Sequence, residues 1–275
     1  MNDNQVKHLE LPSFFKPYEC KKLIRIGKMN DGGYLLDEGS LKKTKTLISF
    51  GIDHDWSFEE EFHKLTNSLI HSYDGSVGPI FFIRKLKIRI IGTIKKPNKD
   101  YFKVTQYWVN LPIKFYQFFN FFKNKKGPNH YEKYVGNNLN NITIQEVFKK
   151  VPPIKDSIFL KIDIEGDEYP LLNDIIKKSE LLNGLIVEFH EVNKNMSLIK
   201  NFIESISLKL VHVHVNNYGN LDSEIRPDVL ELSFSKFSYD EHIKSDLPNK
   251  ADQKNNKDSW SYKLKLDKED SFEGF

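Results

Sequence analysis

Short apolar runs alternate along the chain with longer segments in which apolar residues recur at helical spacing, from about residue 46 onward. This alternation is typical of an α/β fold with a mostly parallel sheet. The predicted strands, in chain order, are 47–52, 69–73, 87–94, 158–162, 185–189, 208–215 and 229–234. Because a turn-rich stretch precedes the last of them, we expect that strand to be an antiparallel edge strand.

Two capping boxes mark predicted helix starts, Ser57 with Glu60 and Thr143 with Glu146. Further helices are predicted around 171–176 and 198–203 from their apolar spacing. We expect Glu168 to cap the first of these two, because carboxylates are favoured at a helix N-terminus. The elements together predict a Rossmann-like sheet with helices on its faces.

Residues 95–136 interrupt this pattern with an aromatic block followed by lysines. The block contains Phe115, Tyr116, Phe118, Phe119, Phe121 and Phe122, and the lysines are Lys123, Lys125 and Lys126. Its spacing predicts an inserted helix that packs on the core or on a dimer partner. Peripheral contact with a membrane surface or a lipid carrier is the alternative.

The chain divides into three predicted parts. Residues 1–46 form an N-terminal extension with the segment Asp31-Gly32-Gly33-Tyr34, which is either a turn or a lid over a ligand. Residues 47–240 form the main domain, with the insertion at 95–136, and residues 241–275 form a polar tail. We expect partial disorder from residue 249 onward, because Lys, Asp, Asn and Ser dominate there.

Composition and charge exclude several classes of protein. The chain has 275 residues, with 41 basic against 38 acidic side chains and a net charge of +3, so no nucleic-acid partner is indicated. The single cysteine, Cys20, excludes an internal disulfide framework and a cysteine-based zinc site, which favours a cytoplasmic location. No apolar stretch approaches the roughly 20 residues that a membrane-spanning helix needs, so we expect no such helix. We also expect no signal peptide.

Polar residues follow the predicted strands at the points where each strand ends. In an open α/β sheet the ligand crevice lies beyond the carboxyl ends of the parallel strands. The residues expected in that crevice are Gly51, Asp53, Asp55, Asp74, Ser76, Asp163, Glu165, His190, Glu191, His214 and Asn216.

Asp74 is the strongest indication of a nucleoside-containing cofactor. A carboxylate at the tip of the second strand is placed to accept the hydroxyls of a ribose; the alternative is a turn aspartate in Asp74-Gly75-Ser76. The loop after the first strand has one glycine, Gly51, in place of a glycine-rich set. A pyrophosphate cradle is therefore not expected, and a cofactor with ribose and adenine but no phosphate fits better.

Several segments resemble the FkbM-type methyltransferases. They are GKMNDGGY (27–34), LISFGIDHDWSFEEEF (47–62), HSYDGSVG (71–78), LKIDIEGDEYPLL (160–172), VEFHEV (187–192), and HVHVNNYG and PDVLELSF within 212–234. The resemblance implies a class I methyltransferase fold and S-adenosyl-L-methionine as cofactor. It also implies that Gly51 lets the chain approach the cofactor, that Asp53 or Asp55 faces its methionine end, and that Asp74, with Ser76, takes the ribose.

Two catalytic mechanisms are compatible with the residues of the predicted acceptor site. Either His190 or His214 is a general base oriented by Asp163 or Glu191, or Asp163, Glu191 and His190 hold Mg²⁺ or Mn²⁺. The third interpretation is that these groups are solvated loop residues without chemistry. Glu165, Glu191 and Asn216 are the candidate substrate-binding residues.

We expect an O-methyltransferase that acts on a hydroxyl of a sugar, nucleotide sugar or glycan. A metal-dependent glycosyltransferase that uses a sugar nucleotide is the first alternative, and a non-catalytic carbohydrate-binding module is the second. The sequence leaves open whether the chain forms a homo-oligomer.

Overall fold

The computed structural model describes residues 6–78, 80–82, 101–122, 128–222 and 226–266. The predicted strand at 87–94 and the lysines Lys123, Lys125 and Lys126 lie outside these residues.

The described part of the central sheet has seven strands. They are β5 (Thr46–Phe50), β6 (Leu69–Tyr73), β7 (Asn129–Tyr131), β8 (Ile158–Ile162), β9 (Leu182–Phe189), β10 (Lys209–Val215) and β11 (Leu230–Ser235), in the spatial order β7-β6-β5-β8-β9-β11-β10. The pairs among β5 to β9 are parallel, whereas β11 is antiparallel to β9 and to β10. The predicted mostly parallel, Rossmann-like α/β fold is confirmed.

The position of the antiparallel strand differs from the prediction. β11 lies between β9 and β10, so β10 and not β11 is the edge strand. Burial agrees with this arrangement, because β11 is buried at all six of its positions. An interior strand needs apolar or internally paired side chains on both faces.

Two apolar layers cover the sheet. On one face, Ile48, Leu160 and Val187 pack with α4 (Ile144–Lys149), α5 (Leu172–Lys178) and α6 (Met196–Ser205). On the other face, the alternate residues Leu47, Phe159 and Ile186 pack with α2 (Ser57–Thr66) and with a hairpin formed by β3 (Leu23–Gly27) and β4 (Gly33–Asp37). Side chains alternate across a strand, so successive residues enter opposite layers.

One predicted capping box is present and the other is not. Thr143 and Glu146 form a reciprocal box at the start of α4. Trp56, and not Ser57, occupies the N-cap of α2. The Ser57 backbone N–H instead donates to Asp55 Oδ1 at 3.1 Å, so the carboxylate two residues upstream supplies the acceptor for that N–H.

The insertion contains the predicted helix, α3 (Tyr101–Phe122). Phe118 and Phe122 are buried against Trp56, with ring centroids 5.4 and 6.4 Å away. The carboxyl end of the insertion is part of the sheet, since β7 at 129–131 pairs with β6. Among the described helices, none is long and apolar enough to cross a membrane.

Strands near the beginning and the end of the described residues pair with each other outside the main sheet. β1 (Val6–Leu11) pairs in parallel with β13 (Ser261–Leu266), and β2 (Tyr18–Cys20) pairs with β12 (Tyr239–Lys244). Helix α1 (Glu38–Lys43) follows β4, with Asp37 as its N-cap. Residues 249–266, for which partial disorder is predicted, instead pack on the chain: 261–266 pair with β1, and Asn217 forms hydrogen bonds with Asn256 and Trp260.

Candidate functional site

A cavity of about 790 Å³ lies beyond the carboxyl ends of β5, β6, β8 and β9. From β5 the chain continues to β6 and β7 on one side of β5. The later strands β8 and β9 lie on the opposite side, so the order in which strands are added reverses between β5 and β8. Ligands bind at this switch point in open α/β sheets. Nine of the predicted site residues line the cavity: Gly51, Asp53, Asp55, Asp74, Ser76, Asp163, Glu165, His190 and Asn216.

Gly51 allows the tips of β5 and β8 to approach each other. Its φ is +76°, and a Cβ atom there would lie 1.6 Å from the carbonyl oxygen of Asp163. The carbonyl oxygen of Gly51 accepts a hydrogen bond of 2.8 Å from Lys161 Nζ. No other residue type fits this backbone and this spacing, so Gly51 shapes the floor of the cavity.

Asp74 is buried and organises two loops. Its Oδ2 accepts from the backbone N–H groups of Ile52 and Asp53, both at 2.9 Å. Its Oδ1 accepts from the backbone N–H of Ser76 at 2.7 Å and from the Ser76 hydroxyl at 2.6 Å. A carboxylate offers about four acceptor positions. All four are therefore filled by the chain itself, and Asp74 holds the loop after β5 against the turn after β6.

The β3–β4 hairpin brings the Asp31-Gly32-Gly33-Tyr34 segment to the cavity. Asp31, Gly32 and Tyr34 line it, so the segment is both a turn and part of the wall. Lys28 of the same hairpin pairs with Asp55 Oδ2 at 3.2 Å. Burial acts to raise the pKa of Asp55, but the hydrogen bonds from Ser57 and the charge of Lys28 outweigh it and lower the pKa.

Tyr34 lies between two carboxyl groups at the centre of the cavity. Its hydroxyl is 2.9 Å from Asp163 Oδ2 and 3.1 Å from Glu188 Oε2. A phenol has one proton and can donate to one of them. The Tyr34 hydroxyl therefore lies within hydrogen-bond distance of both carboxyl groups and donates to one of them at a time.

Glu188 is a buried carboxyl group in this cluster. Burial, and next the charge of Asp163, raise its pKa well above the ordinary value. Its Oε1 accepts from Asn216 Nδ2 at 2.8 Å, which places the predicted residue Asn216 in the same network. Burial and the charges of Asp163 and Glu188 also raise the pKa of Tyr34.

Lys161 is a buried cation beneath the cavity. Its Nζ lies 3.8 Å from Asp163 Oδ2 and 3.9 Å from Glu59 Oε1. Burial acts to lower the pKa of Lys161, but the carboxylates of Glu59 and Asp163 outweigh it and raise the pKa. Lys161 therefore keeps its charge and places a cation beside Asp163 at the cavity wall.

His190 is oriented by Glu168. His190 Nδ1 lies 2.9 Å from Glu168 Oε1, which directs Nε2 towards Glu165 Oε2 at 3.5 Å and Glu188 Oε1 at 3.7 Å. Burial acts to lower the pKa of His190, but the hydrogen bond to Glu168 and the surrounding carboxylates outweigh it and raise the pKa. Glu168 occupies the predicted N-cap position, before the short 3-10 helix Tyr169–Leu171, but its side chain makes no cap hydrogen bond there.

Two predicted residues lie outside the cavity. Glu191 pairs with Lys194 at 2.6 Å and is half exposed, because a positive φ of 50° turns the chain away from the cavity directly after His190. His214 faces Asp252 at 3.3 Å. Burial acts to lower the pKa of His214, but the hydrogen bond to Asp252 and the charge of Glu231 raise it to about 9. Neither residue lines this cavity.

The metal ligand set also differs from the predicted one. Among the described residues, Asp163, Glu165 and His190 each offer a ligand atom within 4.8 Å of the others. Glu165 thus takes the place that the sequence assigned to Glu191. Carboxylate and imidazole ligands of this kind suit a divalent cation.

The sequence prediction gave no role to two charged residues of the site, Lys161 and Glu188, and named Tyr34 only within the segment 31–34 as part of a turn or a lid. Lys161 and Glu188 each interrupt an otherwise apolar strand, in Ile-Phe-Leu-Lys-Ile and Leu-Ile-Val-Glu-Phe. A charged residue in the middle of a buried strand needs a partner, and this signal was available in the sequence. Tyr34 carries no comparable signal, because the residue lies 129 positions from Asp163.

Comparisons with known proteins bear on the fold only. No family model matches the sequence, and no curated protein matches it. A solved precorrin-6y C5,15-methyltransferase from Geobacter metallireducens GS-15 is similar with 13% identity and a TM-score of 0.37, over 72% of this chain and 86% of that chain.

Two further solved structures are similar, with comparably low sequence identities and TM-scores. M. jannaschii TYW2 in complex with AdoMet has 9% identity and a TM-score of 0.33, over 80% of this chain and 88% of that chain. A Methanococcus jannaschii fibrillarin pre-rRNA processing protein has 8% identity and a TM-score of 0.34, over 78% and 82%. The fold assignment rests on the strand order described above and not on these similarities.

Proposed function

We propose that the chain is an S-adenosyl-L-methionine-dependent methyltransferase that acts on a hydroxyl of a sugar, nucleotide sugar or glycan. The observation that carries the proposal is the charge of the cavity at the strand switch point. Eight carboxyl residues line it, against the two lysines Lys28 and Lys161. The eight are Asp31, Asp53, Asp55, Asp74, Asp163, Glu165, Asp167 and Glu188.

An acidic cavity discriminates between the two donor classes. The sulfonium and ammonium groups of S-adenosylmethionine are cationic, and clefts of the opposite sign concentrate such ligands. The diphosphate of a sugar nucleotide is repelled by the same wall unless a cation intervenes. The loop after β5 has the single glycine Gly51, so it offers no cradle for a phosphate.

The cofactor would be held by the loop after β5 and the turn after β6. Gly51 permits close approach of the backbone, and Asp53 and Asp55 would face the cationic methionine end. Because the four acceptor positions of Asp74 are filled, we propose that Asp74 and Ser76 support binding by fixing the backbone of Ile52 and Asp53. This replaces the direct ribose contact that the sequence suggested for Asp74.

Methyl transfer to an oxygen also requires a group that receives the hydroxyl proton. We propose His190 for this role, since Glu168 orients Nδ1 and leaves Nε2 directed into the cavity. Asp163 and Glu165 would bind the acceptor hydroxyls, and Asn216 would hold Glu188 in place. The cofactor supplies the methyl group, and the chain supplies alignment and the proton acceptor.

One observation favours a second candidate, a metal-dependent glycosyltransferase. The ligand atoms of Asp163, Glu165 and His190 lie within 4.8 Å of one another, close enough for one divalent cation. Such a cation would offset the acidic wall and allow a sugar diphosphate to bind.

Titration calorimetry separates these candidates. We expect S-adenosylhomocysteine to bind the full chain at micromolar concentration, and UDP-glucose to show no binding with or without Mn²⁺. Binding of UDP-glucose only with Mn²⁺ would identify the glycosyltransferase instead. Binding of neither ligand would contradict both and leave the non-catalytic module.

A variant control links the binding to this cavity. Asp55→Asn removes a carboxylate from the wall and its pairing with Lys28, and we expect weaker binding of S-adenosylhomocysteine. Asp174→Asn changes an acidic residue outside the cavity that pairs with Lys177. Its affinity should equal that of the wild type, and equal losses in both variants would show that net charge alone is responsible.

A further inference from the structure

A second cluster of ligating side chains lies between the edge strand and the C-terminal tail. His212 and His214 are two residues apart on β10 and therefore share one face of the strand. Asp252 of the tail approaches both, with its Oδ1 at 2.9 Å from His212 Nε2 and at 3.3 Å from His214 Nδ1. None of the three lines the cavity described above.

The spacing of these atoms matches the coordination shell of a small cation. All three ligand atoms lie within 4.8 Å of one another. In a tetrahedral site with metal–ligand distances near 2.0–2.1 Å, neighbouring ligand atoms are about 3.3 Å apart. The two separations from Asp252 Oδ1, 2.9 and 3.3 Å, are close to that value, and the two histidine nitrogens lie within 4.8 Å of each other.

His212 supplies an independent indication that a ligand belongs here. The residue is 2% exposed, and its Nε2 is buried without a hydrogen-bond partner among the described residues. Asp252 Oδ1 lies 2.9 Å from this atom and forms an ion pair with it when the imidazole is protonated. In a neutral imidazole with Nε2 unprotonated, the lone pair of this buried nitrogen faces the Asp252 carboxylate, and a cation between the two atoms would satisfy both.

Asn255 and Glu231 fix the ring of His214 in the way that hydrogen bonds commonly fix a metal-binding histidine. Its Nε2 lies 3.0 Å from Asn255 Oδ1, which leaves Nδ1 directed at Asp252. Asn255 Nδ2 in turn donates to Glu231 Oε1 at 2.6 Å. A ligating histidine usually donates its second N–H to a carbonyl or carboxylate that fixes the ring.

Charge and space complete the site. The carboxylates of Asp252 and Glu231 offset the guanidinium of Arg25, which interacts with both. A cavity of about 290 Å³ adjoins the cluster and is lined by His214 and Asp252. It leaves room for a water molecule as a fourth ligand.

We propose that His212 Nε2, His214 Nδ1 and the carboxylate of Asp252 bind a divalent transition-metal ion of the Zn²⁺ class, with water in the fourth position. Two imidazoles and one carboxylate favour Zn²⁺ over Mg²⁺, which prefers oxygen ligands. The ion joins the tail to the edge strand β10, so it fixes the segment around Asp252 and Asn255 on the main sheet. The site is separate from the proposed methyltransferase site and independent of its function.

Metal titration of the full chain tests the proposal. After treatment with EDTA, we expect one equivalent of Zn²⁺ to bind in calorimetry, and Co²⁺ to produce the absorption bands of a tetrahedral site. Excess Mg²⁺ should not displace either ion. Asp252→Asn and His212→Gln should weaken Zn²⁺ binding at least 100-fold. Asn255→Ala, which alters the outer contact only, should weaken it about 10- to 100-fold.

The cluster of Asp163, Glu165 and His190 near the main cavity provides the matched control. The double variant Glu165→Gln with His190→Gln removes two ligands near the main cavity and should still bind Zn²⁺ as the wild type does. Loss of Zn²⁺ binding in this double variant, together with unchanged Zn²⁺ binding in Asp252→Asn, would overturn the proposal. So would a wild-type chain that binds no Zn²⁺, because the cluster would then be an ion pair only. Asp252→Asn is a same-size change in the tail, and circular dichroism confirms its fold.

Discussion

Asp74 illustrates how a single side chain can be placed correctly by the sequence and yet act differently from its predicted role. Its position at the tip of β6 beside the cavity agrees with the prediction. Its carboxylate, however, is occupied by four hydrogen bonds from Ile52, Asp53 and Ser76. The residue therefore contributes to stability as well as to the shape of the site.

Asp74→Asn tests this role. An amide has donors on one side, so it cannot accept from both loops, and we expect the free energy of unfolding to fall by about 1.5–3 kcal/mol. Urea denaturation measures this change, and calorimetry with S-adenosylhomocysteine measures the accompanying loss of binding. Ser76→Ala removes one of the four contacts and should have a smaller effect. An Asp74→Asn protein as stable as the wild type that fails to bind would favour the direct ribose contact.

His190 and Glu191 form a natural pair for testing the acceptor site, because adjacent residues point to different surroundings. His190→Gln should lower methyl transfer by about 10²–10⁴-fold through loss of the proton acceptor, without changing S-adenosylhomocysteine affinity. Glu191→Gln alters a residue that pairs with Lys194 outside the cavity, and its turnover should match the wild type.

Chelation separates the two chemical interpretations of the same residues. If His190 acts as a base, EDTA leaves turnover unchanged. If Asp163, Glu165 and His190 hold a cation, EDTA abolishes turnover and Mg²⁺ or Mn²⁺ restores it. Equal losses in His190→Gln and Glu191→Gln would contradict the assignment of the acceptor site to this cavity.

At the scale of elements, helix α3 is attached to the main domain by aromatic packing. Phe118 is 5% exposed and packs edge-on against Trp56 and near Phe122 and His130, whereas Tyr116 on the same helix is 66% exposed. The prediction that the aromatic block forms a helix packed on the core is therefore confirmed for the buried part of α3. A contact with a second copy, or with a membrane surface, stays a prediction.

Phe118→Ala measures how strongly this helix is attached. Loss of a buried phenylalanine and the cavity left behind cost about 3–5 kcal/mol, so we expect a decrease of that order in the free energy of unfolding. Tyr116→Ala on the exposed side should change it by less than about 0.5 kcal/mol. Similar values for the two variants would show that α3 does not pack on the domain in solution.

At the scale of the whole molecule, the half-buried His130 makes stability depend on pH. Burial lowers the pKa of His130 to about 4, against 6.5 for an unperturbed histidine, while the charge of Asp74 acts in the opposite direction. Below pH 6.5 the unfolded chain binds a proton at this residue that the folded chain does not. Its contribution to stability is therefore fully present above pH 6.5 and is lost as the pH falls towards 4.

We expect this residue to reduce the free energy of unfolding by about 1.4 kcal/mol per pH unit in that window. Urea denaturation at pH 7 and at pH 5 measures the effect. His130→Phe suits the aromatic surroundings of Phe118 and Phe122 and cannot titrate. The variant should lose less stability than the wild type between the two pH values, and an equal loss would contradict the burial of a neutral His130.

The amino-acid sequence by itself determined the elements whose signals are local. β6 and β8 begin and end where their apolar runs predict, and Thr143 caps α4 through a box encoded in four consecutive residues. The polar residues that follow these strands line the cavity, because every parallel strand ends at the same edge of the sheet. Periodicity and capping depend on neighbours in the chain, so the sequence contains them directly.

Only the tertiary structure decided which distant residues meet. The pairing of β1 with β13, the entry of 129–131 into the sheet, and the place of β11 inside the sheet depend on long-range strand contacts that no local pattern encodes. Tyr34 reaches Asp163 and Glu188 by the same means. Glu191 leaves the site for a different reason: one positive φ redirects a side chain whose sequence position is adjacent to His190. Chemistry that joins such residues becomes visible only when the chain is folded.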